Sequence, residues 1–440
     1  MTGLSFDQAP PYHAVGRFFI TAPVFAMLAA LVITFDGTLL FSSFVNFKLI
    51  GALHWMTLGF VSMTMFGAMM QMLPVLAGVK IGSPVVFSFA VHTGLMTGSF
   101  LFGASYLFQM QELLLPGGAL VVFSTLVFSV HIFYKLMTVK NSTHTIDAMR
   151  LSVIALMAVI VLGFYMAAWR LHFFEGLGVD LVSVHFLWAF VGWVSVLVMG
   201  VSFQVIPMFY VSPEYPLVFR RFVPAGIIAL LTLYTAVTLA PLFGISGNTG
   251  PVDDAGTDLL MHFRKYIRLA LYALAAWYAV ITLRQIGRRK RKLPDPSLLF
   301  WNTSMVFLIL AALFAATMEF YSGAGSSRLI LLTGVIFLFG FVFSVINAMM
   351  YKIVPFLSWF HLASRGIFDA PTMKDLLGDW RIRLQYFIYV VFLLSLPFAL
   401  FYPRRGHYAT GILLFVSSAL LWLNLFTVIT KYYGILRKPR

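Results

Sequence analysis

Residues 54–74 read HWMTLGFVSMTMFGAMMQMLP and contain no Asp, Glu, Lys or Arg. A helix of that length reaches about 30 Å, the thickness of a bilayer's hydrocarbon core. The stretch recurs. Aligned on its proline, it matches residues 187–207 (LWAFVGWVSVLVMGVSFQVIP) and 335–355 (VIFLFGFVFSVINAMMYKIVP). Three residues before Pro74, Pro207 and Pro355 stand Gln71, Gln204 and Lys352; seven before stand Gly67, Gly200 and Ala348. Fifteen before stand Gly59, Gly192 and Gly340, each followed by an aromatic residue: Phe60, Trp193 and Phe341. Small residues let helices approach closely, and a proline terminates or kinks a helix. The prolines are 133 and 148 residues apart, near a third of the chain, so the pattern predicts threefold repetition.

The rest of the sequence agrees with a membrane environment. Of 440 residues, 61% are hydrophobic and 10% charged, whereas a soluble domain carries about 25% charged residues. So few charges cannot cover a water-facing surface, and lipid must cover most of the outside. The 17% aromatic content suits belts at both interfaces. The absence of cysteine excludes disulfides, thiolate metal sites, iron–sulfur clusters and covalently attached c-type haem on this chain.

Apolar runs predict twelve spans near 17–42, 48–74, 84–108, 117–137, 149–170, 183–208, 221–243, 265–284, 297–319, 328–355, 383–402 and 408–432. The first sixteen residues are mixed and polar, and we do not read them as a cleavable signal peptide. Even-numbered loops are rich in Lys and Arg, with the run Arg288-Arg289-Lys290-Arg291-Lys292 the densest, and the C-terminus is basic too; odd-numbered loops are poorer. The bias predicts a multi-pass protein of the bacterial inner (cytoplasmic) membrane with both termini in the cytoplasm. It also accounts for the net charge of +15 without nucleic acid as a partner. The Asp-rich segment 244–262 reads as a periplasmic loop. The predicted fold is an all-α polytopic bundle of about twelve transmembrane helices in three four-helix arcs. It forms one membrane domain over 1–440, with arcs near 13–140, 147–293 and 295–440.

Intramembrane ionisable groups are functional candidates by default, and imidazole is a common ligand of haem iron and copper. His54 and His185 open spans 2 and 6, His172 ends span 5, His262 and His407 start spans 8 and 12, and His92 lies in mid-span 3. Each can instead be an ordinary interfacial or core histidine bonded to backbone or water. Span 10 has no histidine at the matching places, so the repeat is not a threefold ligand set.

At these residues the sequence resembles subunit I of the haem–copper oxidases, and more closely its NnrS-like branch. In span 2 that branch has a histidine, then Gly five on, Phe next, Gly at thirteen and Pro at twenty; here stand His54, Gly59, Phe60, Gly67 and Pro74. The resemblance implies that His54 binds haem iron and His185 copper. It also implies that Arg404 and Arg405 of Pro403-Arg404-Arg405 pair with haem propionates, though arginines there also serve as ordinary interfacial anchors; in a haem-binding reading His185, His92 or His172 would supply a further ligand or a metal partner. The implied cofactors are a b-type haem and, as a second candidate, copper. Departures are equally clear: spans 7 and 10 hold no histidine, and no Asp or Glu lies at mid-membrane depth. The resemblance therefore implies an oxidase-like scaffold with reduced chemistry. Its role would lie in respiratory electron transfer or in nitric oxide and diatomic-gas response, with other respiratory subunits or an electron carrier as partners beside membrane lipid. Any catalysis would be oxidoreductase chemistry.

Two alternatives stand beside it. Met56, Met63 and Met70 recur every seven residues in span 2, and thioether sulfur suits Cu(I) transport; methionine also simply fills apolar interiors. The third reading is a cofactor-free subunit or assembly factor of a respiratory complex.

Overall fold

The computed structural model of the protein describes residues 9–41, 46–173, 176–243, 254–321, 326–367 and 369–437. Among them every regular element is helical, and twelve helices are long and apolar enough to cross a membrane. They are α1 (Tyr12–Leu40), α2 (Phe47–Val75), α3 (Pro84–Leu107), α4 (Gln111–Met137), α5 (His144–Arg170) and α6 (Leu181–Tyr210). The second half comprises α7 (Leu217–Phe243), α8 (Leu259–Gly287), α9 (Ser297–Met318), α10 (Arg328–Ala363), α11 (Asp379–Phe401) and α12 (Pro403–Leu436). These match the twelve predicted spans to within several residues. Large apolar side chains such as Phe123, Val161 and Leu394 are exposed, as lipid-facing positions require. Residues 244–253 of the Asp-rich segment lie outside the described residues. The helix that contains α8 already begins at Asp254, so the predicted loop is helical from there on.

Two compact units divide the chain. One comprises Met1–Phe128, Leu293–Phe307 and Ala324–Arg440; the other comprises Ser129–Lys292 and Leu308–Gly323.

The threefold repeat extends into the backbone. Each of the three proline-aligned helices is interrupted by an eight-residue π-helical segment: Trp55–Ser62 in α2, Trp188–Ser195 in α6 and Ile336–Phe343 in α10. All three begin nineteen residues before the aligned proline and end twelve before it. π-helix is rare and usually a local interruption of α-helix, so one register in three helices is a structural repeat. The aligned glycines lie inside these segments. A Cβ on Gly59 would stand 2.1 Å from Phe25 of α1, one on Gly192 would stand 2.9 Å from Ala155 of α5, and one on Gly340 would stand 2.2 Å from Phe307 of α9. Seven residues before the proline, a Cβ on Gly67 would meet Phe18 of α1 and one on Gly200 would meet Ala148 of α5. In each of the three, then, the helix with the π segment leans on the helix before it through the aligned glycine.

The prolines differ in effect. Pro74 and Pro207 each lie inside the last turn, and four residues on the chain turns left-handed at Gly78 (φ 64°) and Val211 (φ 52°). Pro355 ends nothing: its helix runs on to Ala363. The predicted stop at 355 is therefore eight residues early.

In the first unit a buried polar chain ties α10, α11 and α12 together. Gln385 donates to Ser417 Oγ (2.8 Å) and to Asn347 Oδ1 (3.3 Å), and Asn424 donates to the Tyr351 hydroxyl (3.0 Å). The Tyr389 hydroxyl accepts from Ser344 (2.8 Å) and donates to the Phe339 carbonyl, inside the π segment where the regular ladder is broken. Such interhelical bonds in a bilayer contribute about 0.6 kcal/mol each. Helices α1 and α12 also pack closely. Tyr12 stacks on Tyr432 with ring centres 4.1 Å apart at one end, and a Cβ on Gly37 would stand 2.3 Å from His407 Cβ toward the other. The first helix therefore starts where the last one finishes.

Candidate functional site

His54 stands immediately before the π segment of α2. Asn46 caps this helix by accepting from the Lys48 amide, and Lys48 pairs with Asp36 of α1 at 2.6 Å, which fixes the helix start. Glycine then sets the neighbourhood. A Cβ on Gly51 would lie 2.7 Å from the Gly103 carbonyl, and one on Gly103 would lie 2.3 Å from the Trp55 indole. With α2 and α3 so close, two rings of α3 flank the imidazole. Tyr106 lies parallel at 6.2 Å and Phe102 edge-on at 5.0 Å.

The His54 Nδ1 lies 2.8 Å from the Ile50 carbonyl. A carbonyl only accepts, so Nδ1 carries the proton and Nε2 keeps its lone pair. This is the tautomer that second-shell bonding imposes on a metal-ligating histidine. It also satisfies a histidine that merely packs in a helix.

The other candidates have different surroundings. His92 is buried on α3, with Nε2 2.9 Å from Thr21 Oγ1 and its ring against Phe18. His172 is exposed beyond α5, in a left-handed conformation (φ 61°) that turns the chain out of the helix. His185 is half-buried and packs on α5, its Cε1 3.2 Å from the place a Cβ on Gly163 would occupy. Arg404 and Arg405 occupy the first turn of α12, both exposed. His54, His92, Arg404 and Arg405 belong to the first unit, His172 and His185 to the second. Among the described residues no three His, Asp or Glu side chains converge as a metal-ligand group.

No protein-family model and no curated protein matches this chain. The reading of its site therefore rests on its own residues.

One constellation in the second unit escaped the sequence reading. Arg268 of α8 holds Glu319 through a fork, Nε to Oε1 and Nη2 to Oε2, both 2.6 Å. Tyr272 donates to the same carboxylate (3.3 Å), and the Tyr234 hydroxyl of α7 accepts from Arg264 (2.9 Å) and Arg268 (3.3 Å). Arg264 also reaches Asp180 at 3.0 Å. The cluster thus links α7, α8, the residue after α9 and the segment before α6. Its sequence signal was a single arginine inside an apolar span, four residues after Arg264 on the same helical face.

Asp180 caps α6, accepting from the Ser183 amide at 3.0 Å. Burial alone would raise its carboxyl, but bonds from Ser183 and Arg264 outweigh burial and hold it below the ordinary carboxylate value. A depressed carboxylate stabilises the fold above its ordinary range, and that contribution disappears as pH falls through the folded value. An Asp180→Asn variant is expected to melt slightly below the parent at pH 7, with the gap closing as pH drops below about 4. A gap that stays constant from pH 7 to pH 3 would show that charge at Asp180 does not matter.

Proposed function

We propose that this chain is a haem-binding integral membrane protein related to subunit I of the haem–copper oxidases, acting in electron transfer or in the response to nitric oxide and other diatomic gases. The observation that carries this reading is His54. It has a protonated Nδ1 tied to Ile50, an Nε2 that keeps its lone pair, two aromatic rings beside it and a π-helical turn following it. π-helical turns concentrate at functional sites. In this reading His54 is an axial ligand, and Arg404 and Arg405 pair with the propionate carboxylates, for which guanidinium forks are suited. The haem would supply one-electron chemistry and an affinity for diatomic gases. The protein's part is to hold one imidazole in a fixed tautomer within an apolar, aromatic wall.

The donor chemistry fits one axial nitrogen in the first unit. Recruiting His92 would take Nε2 away from Thr21. Copper at His185 draws less support, since no group of three ligating His, Asp or Glu side chains forms among the described residues. The copper-transport alternative rests on Met56, Met63 and Met70, whose burial is that of interior packing. In the proposed orientation both termini are cytoplasmic, as the loop charges imply.

The test is the optical spectrum of the detergent-purified protein, expressed with haem supply, oxidised and then dithionite-reduced. We expect a Soret band that shifts on reduction and is lost in His54→Ala, while the variant still elutes as a folded species. A colourless parent protein would overturn the haem reading and transfer its weight to transport or a scaffold role.

A further inference from the structure

We propose that an anionic phospholipid of the phosphatidylglycerol type binds a specific groove between the start of α10 and the end of α11. The groove is open and holds about 590 Å³, within the range of small-molecule sites. Its walls are Pro397, Phe398, Phe401 and Tyr402, and Arg328 stands at it. All five residues belong to the first unit, so the site is complete within one body.

Charge decides the occupant. Arg328 is exposed and opens an apolar helix at membrane-interface depth, where lone cations are drawn to anionic headgroups. No Asp or Glu occurs anywhere in residues 320–368 or 380–440; the one carboxylate on α10, α11 and α12, Asp379, opens α11 at the end opposite Phe398 and pairs with Lys374. The walls decide the rest of the ligand. Phe398, Phe401 and Tyr402 are exposed, and aromatic rings at this depth take the boundary between headgroup and acyl chain. Pro397 contributes an apolar ring and no backbone N–H. A lipid phosphate would meet Arg328 while its acyl chains lie against the phenylalanines. A soluble anion would use only the first half of the site.

This proposal does not rest on the haem reading, because it needs neither His54 nor a cofactor. Its test is retention of lipid by the full chain in detergent, followed by native mass spectrometry with added phosphatidylglycerol, phosphatidylcholine or glycerol phosphate. We expect a preference for phosphatidylglycerol over phosphatidylcholine and no retention of glycerol phosphate. Arg328→Gln should weaken phosphatidylglycerol retention about five-fold, the weight of one basic side chain at an anionic surface. Arg328→Lys should keep most of it, which guards against loss by misfolding. Equal retention by the parent and Arg328→Gln would overturn the site, and so would equal loss in Arg328→Gln and Arg328→Lys. Binding of glycerol phosphate as tight as that of the lipid would overturn the lipid as occupant. Spectra of the same samples keep the two readings apart: a haem band unchanged in Arg328→Gln separates this site from the haem.

Discussion

Arg268→Ala is expected to lose about 3–5 kcal/mol of folded-state stability, measured by unfolding in mixed micelles. The guanidinium meets both Glu319 oxygens at 2.6 Å, and the Glu319 side chain is only 10% exposed. Removing one member leaves a carboxylate in an apolar setting with a single weak partner, Tyr272 at 3.3 Å. Most of that cost is the stranded charge and not the bond itself. The double variant Arg268→Met with Glu319→Leu should therefore be much closer to the parent than either single change. If the double variant is as unstable as the single ones, the pair is a net stabiliser in its own right and the stranded-charge account fails.

The second large effect concerns Gly411. A Cβ there would stand 2.2 Å from Thr34 Oγ1, 2.5 Å from the Thr34 amide nitrogen and 2.7 Å from its Cα. Two of those atoms are backbone, so no rotamer change can relieve the clash, and α1 and α12 must separate. Gly411→Ala is expected to cost about 1–3 kcal/mol, and Gly411→Leu more. Gly226 of α7 supplies the contrast, because a Cβ there meets nothing within 4 Å. Gly226→Ala should be neutral or slightly stabilising, since alanine is the better helix former. A Gly411→Ala protein that melts with the parent would mean the two helices slide apart at little cost.

These expectations show where the sequence was transparent and where it was not. Twelve spans were legible because lipid imposes one simple demand, about twenty apolar residues per crossing. The repeat was legible as glycines and prolines. Its π-helical register was not, because hydrogen-bond pattern leaves no mark in side-chain hydropathy. Arg268 was hidden by averaging, as one cation barely lowers the hydropathy of α8, and its partner Glu319 is 51 residues away. Asn347, Gln385 and Asn424 were hidden in the same way: each is a single amide in an apolar span, and only packing shows that they meet. His92 drew attention as a mid-span imidazole, but its partner Thr21 lies on another helix, 71 residues away. His54 drew attention as the histidine that opens span 2. Its tautomer depends on the Ile50 carbonyl one turn earlier, which any helix supplies and no sequence motif announces.

The π-helical segments also set a register. A π turn is what one extra residue makes of an α-helix when its neighbours stay packed. Finding it in α2, α6 and α10 at one distance from one proline gives the three helices the same built-in offset between the residues before and after the segment. His54 is different, for neither other copy has a histidine at its place. The interrupted helix is thus common to all three, and the imidazole beside it belongs to α2 alone.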